Sequence, residues 1–249
     1  MPERVVVVGA GASGTLAAIH LLRANASLEL VLVDRSGEFG PGRAYRTGDP
    51  GHLLNTVAGK MSALDDDPGH FVRWSGAAAD EFLPRGEYGR YLAETLREEE
   101  KKAAVRHVVD TATGITSTAG GVTVEPARTG PLHADFAVLA PGVGSGDPLA
   151  GLVPGDSPRY VADPWAGPLP RTGGEPVLVL GTGLSMMDVS VAVAHDSVVH
   201  AVSRHGLLPR PHRLGTGPAP SLPDPPRRVR SVGELMRFVR RSVSAHPDR

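Results

Sequence analysis

The sequence predicts an α/β chain built around two parallel strand–turn–helix–strand units, on two observations. Arg4-Val-Val-Val-Val-Gly9-Ala-Gly11-Ala-Ser-Gly14 and Val177-Leu-Val-Leu-Gly181-Thr-Gly183-Leu-Ser-Met186 each set a hydrophobic run before a glycine-rich turn and a helix-like stretch after it. The 249 residues are 41% hydrophobic and 21% charged, enough apolar material for one large or two modest cores.

Val5–Val8 is a β-branched run suited to a strand buried on both faces of a parallel sheet. Residues 13–23 read as a helix, and 28–33 as a second strand closing at Asp34. Residues 36–68 are rich in Gly, Asp and Pro without a lasting period, as expected of a long ordered loop over a ligand. Asp67-Pro68 is expected to cap and open a short helix through Phe71 and Trp74. Apolar residues at 88, 91, 92, 96 and 103 predict a helix over 88–104. Short alternating segments at 105–109, 115–117 and 122–125 predict a small β meander that returns to the sheet at 136–140. The Pro/Gly-rich stretch 141–176 reads as a domain crossing, and 177–203 as the start of a second unit. A Pro/Arg-rich linker follows His205, then a helix from Ser231, where Ser231-x-x-Glu234 forms a capping box. That helix aligns Val232, Leu235, Met236, Val239 and Val243 on one face, the pattern of a helix docked on further structure.

The charges exclude several functions. A net charge of −1 conceals ten Lys or Arg against three acids from Arg204 onward, so the body of the chain is acidic and no nucleic-acid partner is expected. With no cysteine, the chain has no dithiol relay, thiolate nucleophile or iron–sulfur site. No metal site is expected: the histidines lack the HExxH spacing, and Asp65-Asp66-Asp67 reads as a helix cap rather than a magnesium site. Gly59-Lys60-Met61 lacks the Ser/Thr of a P-loop, and no Gly-x-Ser-x-Gly elbow is present. Glycines at fingerprint spacing break the apolar run 5–22, so it is read as neither a signal peptide nor a membrane span, and a cytoplasmic protein is expected.

In the first turn Gly9 makes the bend, Gly11 admits a pyrophosphate against bare backbone, and Gly14 allows close helix–strand packing. Ala12 and Ser13 lie at the helix start, whose unpaired amides suit phosphate, and Asp34 ends the second strand where a carboxylate accepts from ribose hydroxyls. In the second turn Gly181, Gly183, Leu184 and Ser185 form the phosphate site, but Met186 replaces the third glycine and should hold the helix further from its strand. The second unit's final strand ends at Arg204 instead of a carboxylate, which favours NADP(H) over NAD(H).

Further motifs resemble the bacterial FAD-NAD(P)-binding group of the two-dinucleotide-domain flavoproteins. They are Gly42-Arg-Ala-Tyr45, Leu53-Leu-Asn55, Lys60-Met61-Ser62, Asp67-Pro68-Gly-His70-Phe71, Phe82-Leu-Pro-Arg85, Tyr88-Gly-Arg-Tyr91, Val138-Leu-Ala-Pro-Gly142 and Gly181-Thr-Gly183-Leu-Ser-Met-Met-Asp188. The resemblance implies a Rossmann-like FAD-binding domain with a small β meander over residues 1–165, a partial Rossmann-like NAD(P)-binding domain over 166–215, and a linker and helix over 216–249. It implies FAD on the first turn beside Asp34 and Arg35, with its ring near Arg43, Ala44, Asn55, Met61 and Ser62, and with Pro141 and Gly142 also among the cofactor-binding residues. The activity implied is reduction of bound flavin by NAD(P)H, of reductase or monooxygenase type, with no catalytic residue assigned and the substrate or electron acceptor unknown. The Phe-x-Gly-x-x-x-His signature of flavin monooxygenases is absent, and the Gly-Asp pairs at 48–49, 146–147 and 155–156 come too early to match the late one of related flavoproteins. The fold is therefore expected to be completed by a partner chain or a missing C-terminal segment. The alternative is a non-catalytic dinucleotide-binding or interaction fragment with an incomplete flavin site, and a reductase using only a nicotinamide on the first turn is a third reading.

Overall fold

In the computed structural model of the chain, which describes residues 2–144, 146–147, 149–153, 157–211, 223 and 231–244, a four-stranded parallel sheet carries the first glycine turn. Its strands are β1 (Arg4–Val8), β2 (Glu29–Asp34), β3 (Ala104–Val109) and β7 (Phe136–Leu139), in the order β3-β2-β1-β7. Helix α1 (Ala12–Ala24) connects β1 to β2, whose register pairs Val5 with Leu30 and Val8 with Val33. Two short helical turns, 43–45 and 58–60, and helix α2 (His70–Ser75) interrupt the long loop, and α3 (Arg85–Glu100) leads into β3.

Alternation of side chains along β1 accounts for both layers of the core. Val5 and Val7 face α1 and α3 with Ile19, Leu22, Leu30, Leu32 and Leu96, whereas Val6 joins Val31, Val33, Val108, Val124 and Leu132. Val124 and Leu132 come from an antiparallel meander of β4 (Ala112–Thr118), β5 (Gly121–Pro126) and β6 (Leu132–Ala134) that covers the second face. Val6, Val7 and Leu32 are fully buried, each contributing about 1.5–3 kcal/mol of hydrophobic stabilisation. A third cluster holds the long loop on α3: Leu54, Ala58, Ala63, Phe71 and Leu83 pack on Tyr88, Tyr91 and Leu92.

Three expectations are corrected. Residues 104–109 belong to the main sheet, parallel to β2, and not to the meander. The helix expected over 88–104 starts at Arg85 and ends at Glu100, so the stripe at 88, 91, 92 and 96 is helical while Ala103 lies beyond it. Asp67 does not cap α2 with its side chain: the helix begins after Gly69, and the Asp67 carboxylate pairs with Arg73, a stronger partner than a backbone amide.

The second unit comprises β8 (Val177–Leu180), α4 (Leu184–Val193) and β9 (Val199–Val202), with β8 and β9 parallel. Leu178, Leu180, Val198 and Val202 are more than half exposed, in contrast to the buried valines of β1. By compactness the chain divides into two bodies, Met1–Pro209, which contains both glycine-turn units, and Arg210–Arg249. In the second, α5 (Val232–Ser244) starts with the Glu234 amide donating to Ser231 Oγ at 3.2 Å, as the capping motif predicts, and leaves Val232, Leu235, Met236 and Val239 exposed. The side chain of Val243 and most of the expected Pro/Arg-rich linker lie outside the described residues, as do Gly155 and Asp156. Among the described residues no helix is long and apolar enough to cross a membrane.

Candidate dinucleotide sites

At the carboxyl end of β1 the chain bends at Gly9, whose φ of +93° disfavours any side chain and whose amide donates to Val33 O at 2.8 Å. A Cβ on Gly9 would stand 2.1 Å from Ala140 O, and one on Gly14 would stand 1.8 Å from Gly9 O. The turn is therefore clamped between the end of β7 and its own helix. Gly11 caps α1 with extended backbone, no side chain caps the helix and no acid occupies its first turn. The opening amides at Ala12, Ser13 and Gly14 thus lack intrahelical partners and face the crevice where a parallel sheet binds anions.

Asp34 ends β2 beside this turn. Its Oδ2 accepts from the Ala10 amide at 2.9 Å, and its Oδ1 accepts from the amide and hydroxyl of Ser36 at 2.8 and 2.6 Å. Burial raises the Asp34 pKa, but the bonds from Ser36 and Ala10 and the charge of Arg46 outweigh it, so the carboxyl is held below its ordinary value. Pro41–Gly42 crosses over the turn: a Cβ on Gly42 would lie 2.7 Å from Gly11 Cα and 3.0 Å from the Ala12 nitrogen. With φ of +58°, Gly42 holds a conformation that favours glycine at this close approach, which its place next to Pro41 signals in the sequence.

The structure brings together Gly9–Gly14, Asp34, Gly42–Arg43 and Pro141–Gly142, the last pair reaching the turn with Pro141 Cα 3.2 Å from the Gly9 Cβ position. Arg35, Arg43, Ala44 and Asn55 are exposed, and the Arg43 guanidinium pairs with Asp163. Met61 packs beside the Tyr88–Tyr91 cluster. The Ser62 hydroxyl donates within its own loop, to Leu64 O and Asp67 O, and Tyr91 Oη accepts from the Ala63 amide at 3.0 Å.

The second turn is open where the first is clamped. Gly181 has φ of +112° and donates to Val202 O at 2.8 Å, yet no atom lies within 4 Å of a Cβ on Gly181 or Gly183. Helix α4 starts with no side-chain cap and no acid in its first turn, so the amides behind Gly183, at exposed Leu184 and Ser185, suit a phosphate as those of α1 do. Met186 is buried, filling the space that the glycine of the first turn leaves to backbone. Arg204 is exposed just beyond β9, and the Thr182 hydroxyl donates to Ser203 Oγ at 2.8 Å beside it.

Sequence reasoning passed over a set that links the two halves: buried His52 and Asp188 with half-buried Arg85 and Trp165. Arg85 and Asp188 stand inside quoted motifs, but nothing local pairs them. A cavity of about 1000 Å³ lies between residues 37–50 and α3 and includes no residue of either glycine turn. Its charges are largely satisfied, Arg46 by Glu38 and Arg90 by Glu87, so the backbone-lined crevice at Gly9 is the better cofactor site.

Comparison with known proteins agrees with this geometry. The family model described as FAD-NAD(P)-binding matches residues 6–144. None of the curated proteins matches the chain. Among solved structures, Lactococcus lactis thioredoxin reductase is 18% identical with a TM-score of 0.54, covering 83% of this chain and 57% of its own. OTEMO in complex with FAD and NADP is 19% identical with a TM-score of 0.57, covering 82% and 39%. A mutant cyclohexanone monooxygenase from Rhodococcus sp. Phi1 bound to NADP+ is 23% identical with a TM-score of 0.56, covering 81% and 38%. The chain thus spans from under two fifths to under three fifths of the length of these proteins, and it shares their fold. With its match spanning more than half of the sequence, the chain belongs to the FAD-NAD(P)-binding family.

Proposed function

We propose that the chain binds FAD along the first glycine turn and NADPH along the second, and serves an oxidoreductase in which the nicotinamide reduces the flavin. The observation that carries this reading is the clamped first turn, in which Gly9, Gly14 and Gly42 meet backbone where side chains would stand and leave the uncapped start of α1 facing Asp34. Hydride acceptance is the flavin's own chemistry when bound, and the protein's task is placement and exclusion of water. Ala12 and Ser13 hold the pyrophosphate with backbone amides, and Asp34, kept ionised, accepts from the adenosine ribose. Arg204, exposed and without an ion-pair partner among the described residues, recognises a 2′-phosphate and favours NADP(H). The relatives bound to FAD and NADP support this assignment.

The exposed Leu178, Leu180, Val198 and Val202 favour a second reading, a binding fragment whose second unit is covered by a partner chain or a further segment. The absorbance of the chain, desalted after incubation with FAD and then mixed anaerobically with NADPH, separates the two. A retained flavin band that bleaches supports the oxidoreductase. A folded chain that retains no flavin, or retains it without bleaching, supports the fragment.

A further inference from the structure

Between the two turns four side chains from separate segments converge. Arg85 opens α3, and its Nη2 lies 2.9 Å from Asp188 Oδ2, one turn beyond Ser185 on α4. The same guanidinium donates through Nε to Leu53 O at 2.9 Å and lies 5.7 Å over the Trp165 ring. His52 Nε2 lies 3.2 Å from Asp188 O, and its Nδ1 is 2.7 Å from Thr47 Oγ1. Because a carbonyl only accepts, Nε2 carries a proton and donates it to Asp188 O, while Nδ1 shares a hydrogen bond with the Thr47 hydroxyl. The side chains of Arg85, Asp188 and His52 are 16%, 11% and 9% exposed. Trp165 contacts the His52 ring edge-on, and its amide donates to Asp163 Oδ1, the atom that pairs with Arg43. A connected path therefore runs from the loop over the first turn to the helix of the second.

This contact is poorly suited to stability alone. Asp188 Oδ2 is buried with no well-aligned hydrogen bond among the described residues, and burial raises its pKa despite the opposing charge of Arg85, with Asp49 adding to the rise. Apolar side chains would hold the same surfaces together at least as well. What a planar guanidinium, a carboxylate and an oriented imidazole supply is a fixed direction of approach.

We infer that Arg85, Asp188 and His52 are positioning residues that set the separation and angle of the two glycine turns, so that a nicotinamide held over Gly181–Ser185 meets a flavin held over Gly9–Arg43. The inference rests on the two-cofactor reading. A misplacement of about 1 Å at a hydride-transfer site is enough for about a hundredfold loss of rate.

The test compares the native chain with Asp188→Asn, alone and with Gly51→Cys and Val191→Cys added. A Cβ on Gly51 lies 2.9 Å from Val191 Cγ1, so this cysteine pair can bridge the loop to α4, and the native chain has no cysteine to compete. Asp188→Asn is expected to hold FAD within about twofold of the native affinity while the limiting rate of flavin reduction at saturating NADPH falls about tenfold or more. Oxidising the cysteine pair in the Asp188→Asn background should restore that rate to within about threefold, and the reduced pair should not. Amide hydrogen exchange over 184–193 should quicken in Asp188→Asn with no cofactor present. An unchanged reduction rate, a cross-link that fails to restore it, or unchanged exchange would each overturn the inference. If Asp188→Asn does not fold, His52→Asn, with its shorter reach to Asp188 O, is judged by the same measurements. A native chain that retains no flavin defeats the two-cofactor reading instead, and the exchange comparison then decides the clamp by itself.

Discussion

Replacing Gly14 by alanine tests whether the first turn is held together by backbone contact. The new Cβ would stand 1.8 Å from Gly9 O, 2.9 Å from Gly9 C and 3.3 Å from Val7 Cγ1. Restoring an ordinary contact requires α1 to retreat from β1 by about 1.5 Å. Overpacking of this kind costs about 1–3 kcal/mol, which for a chain of this size lowers Tm by about 2–12 °C. The retreat also draws the α1 amides away from a bound pyrophosphate. Loss of one charge-assisted bond of about 1.5–3 kcal/mol weakens FAD binding by about 10- to 150-fold. Thermal melts and an equilibrium FAD titration followed by flavin fluorescence measure both effects. Gly183→Ala is the internal control, since no atom lies within 4 Å of its Cβ position and its backbone is extended. Its Tm should stay within about 1–2 °C of the native chain, as for a substitution within about 0.5 kcal/mol. Equal melting and FAD affinity of Gly14→Ala and the native chain would refute the reasoning, and so would equal damage from the two substitutions.

Three further outcomes are expected. A folded-state pKa held below the unfolded value, as at Asp34, contributes stability above about pH 4 that is lost as pH falls through the folded value. The melting-temperature gap between the native chain and Asp34→Asn should therefore shrink as the pH is lowered below about 4, and a gap that persists undiminished to about pH 2 contradicts it. Tyr91→Phe strands the buried Ala63 amide and removes the partner of His70 Nδ1, at 3.0 and 2.8 Å from the phenol oxygen, and is expected to cost about 1–3 kcal/mol in denaturant unfolding. Arg204→Ala should lower the ratio of NADPH to NADH efficiency in flavin reduction by about tenfold or more, while the rate with NADH stays nearly constant, and an unchanged ratio removes Arg204 from cofactor choice.

How far the sequence carried depended on whether the relevant contact was local. The β-branched run at Val5–Val8, the spacing of Gly9, Gly11 and Gly14, and the terminal Asp34 lie within one βαβ unit, so periodicity and turn chemistry locate them without knowledge of the rest. The place of 104–109 is not local: the same alternating residues suit a meander or a parallel edge strand, and only pairing with β2 distinguishes them. Asp67 shows a different limit, because a carboxylate before Pro68 has the form of a cap and an arginine six residues on competes for it successfully. Ser62 keeps its hydroxyl within its own loop, as its proximity to Leu64 and Asp67 allows but does not announce. Arg85 and Asp188 are more than a hundred residues apart in sequence, so no window on the chain contains their pairing.

The contrast between the two turns also explains why a long-range contact is needed at all. On β1 the third glycine brings α1 onto its own strand by backbone contact, and the position of that helix is settled within one unit. On β8 Met186 takes the place of that glycine, and a flexible thioether, contacted by the Ser190 hydroxyl at 3.3 Å, fixes a helix less sharply than backbone against backbone. The direction of α4 must then come from elsewhere. Loop residues Gly51 and His52 touch it, and Arg85 grips it through Asp188. The loop that Tyr88 and Tyr91 anchor beside the first turn thus bears directly on the second, and changes in its packing should be felt at both.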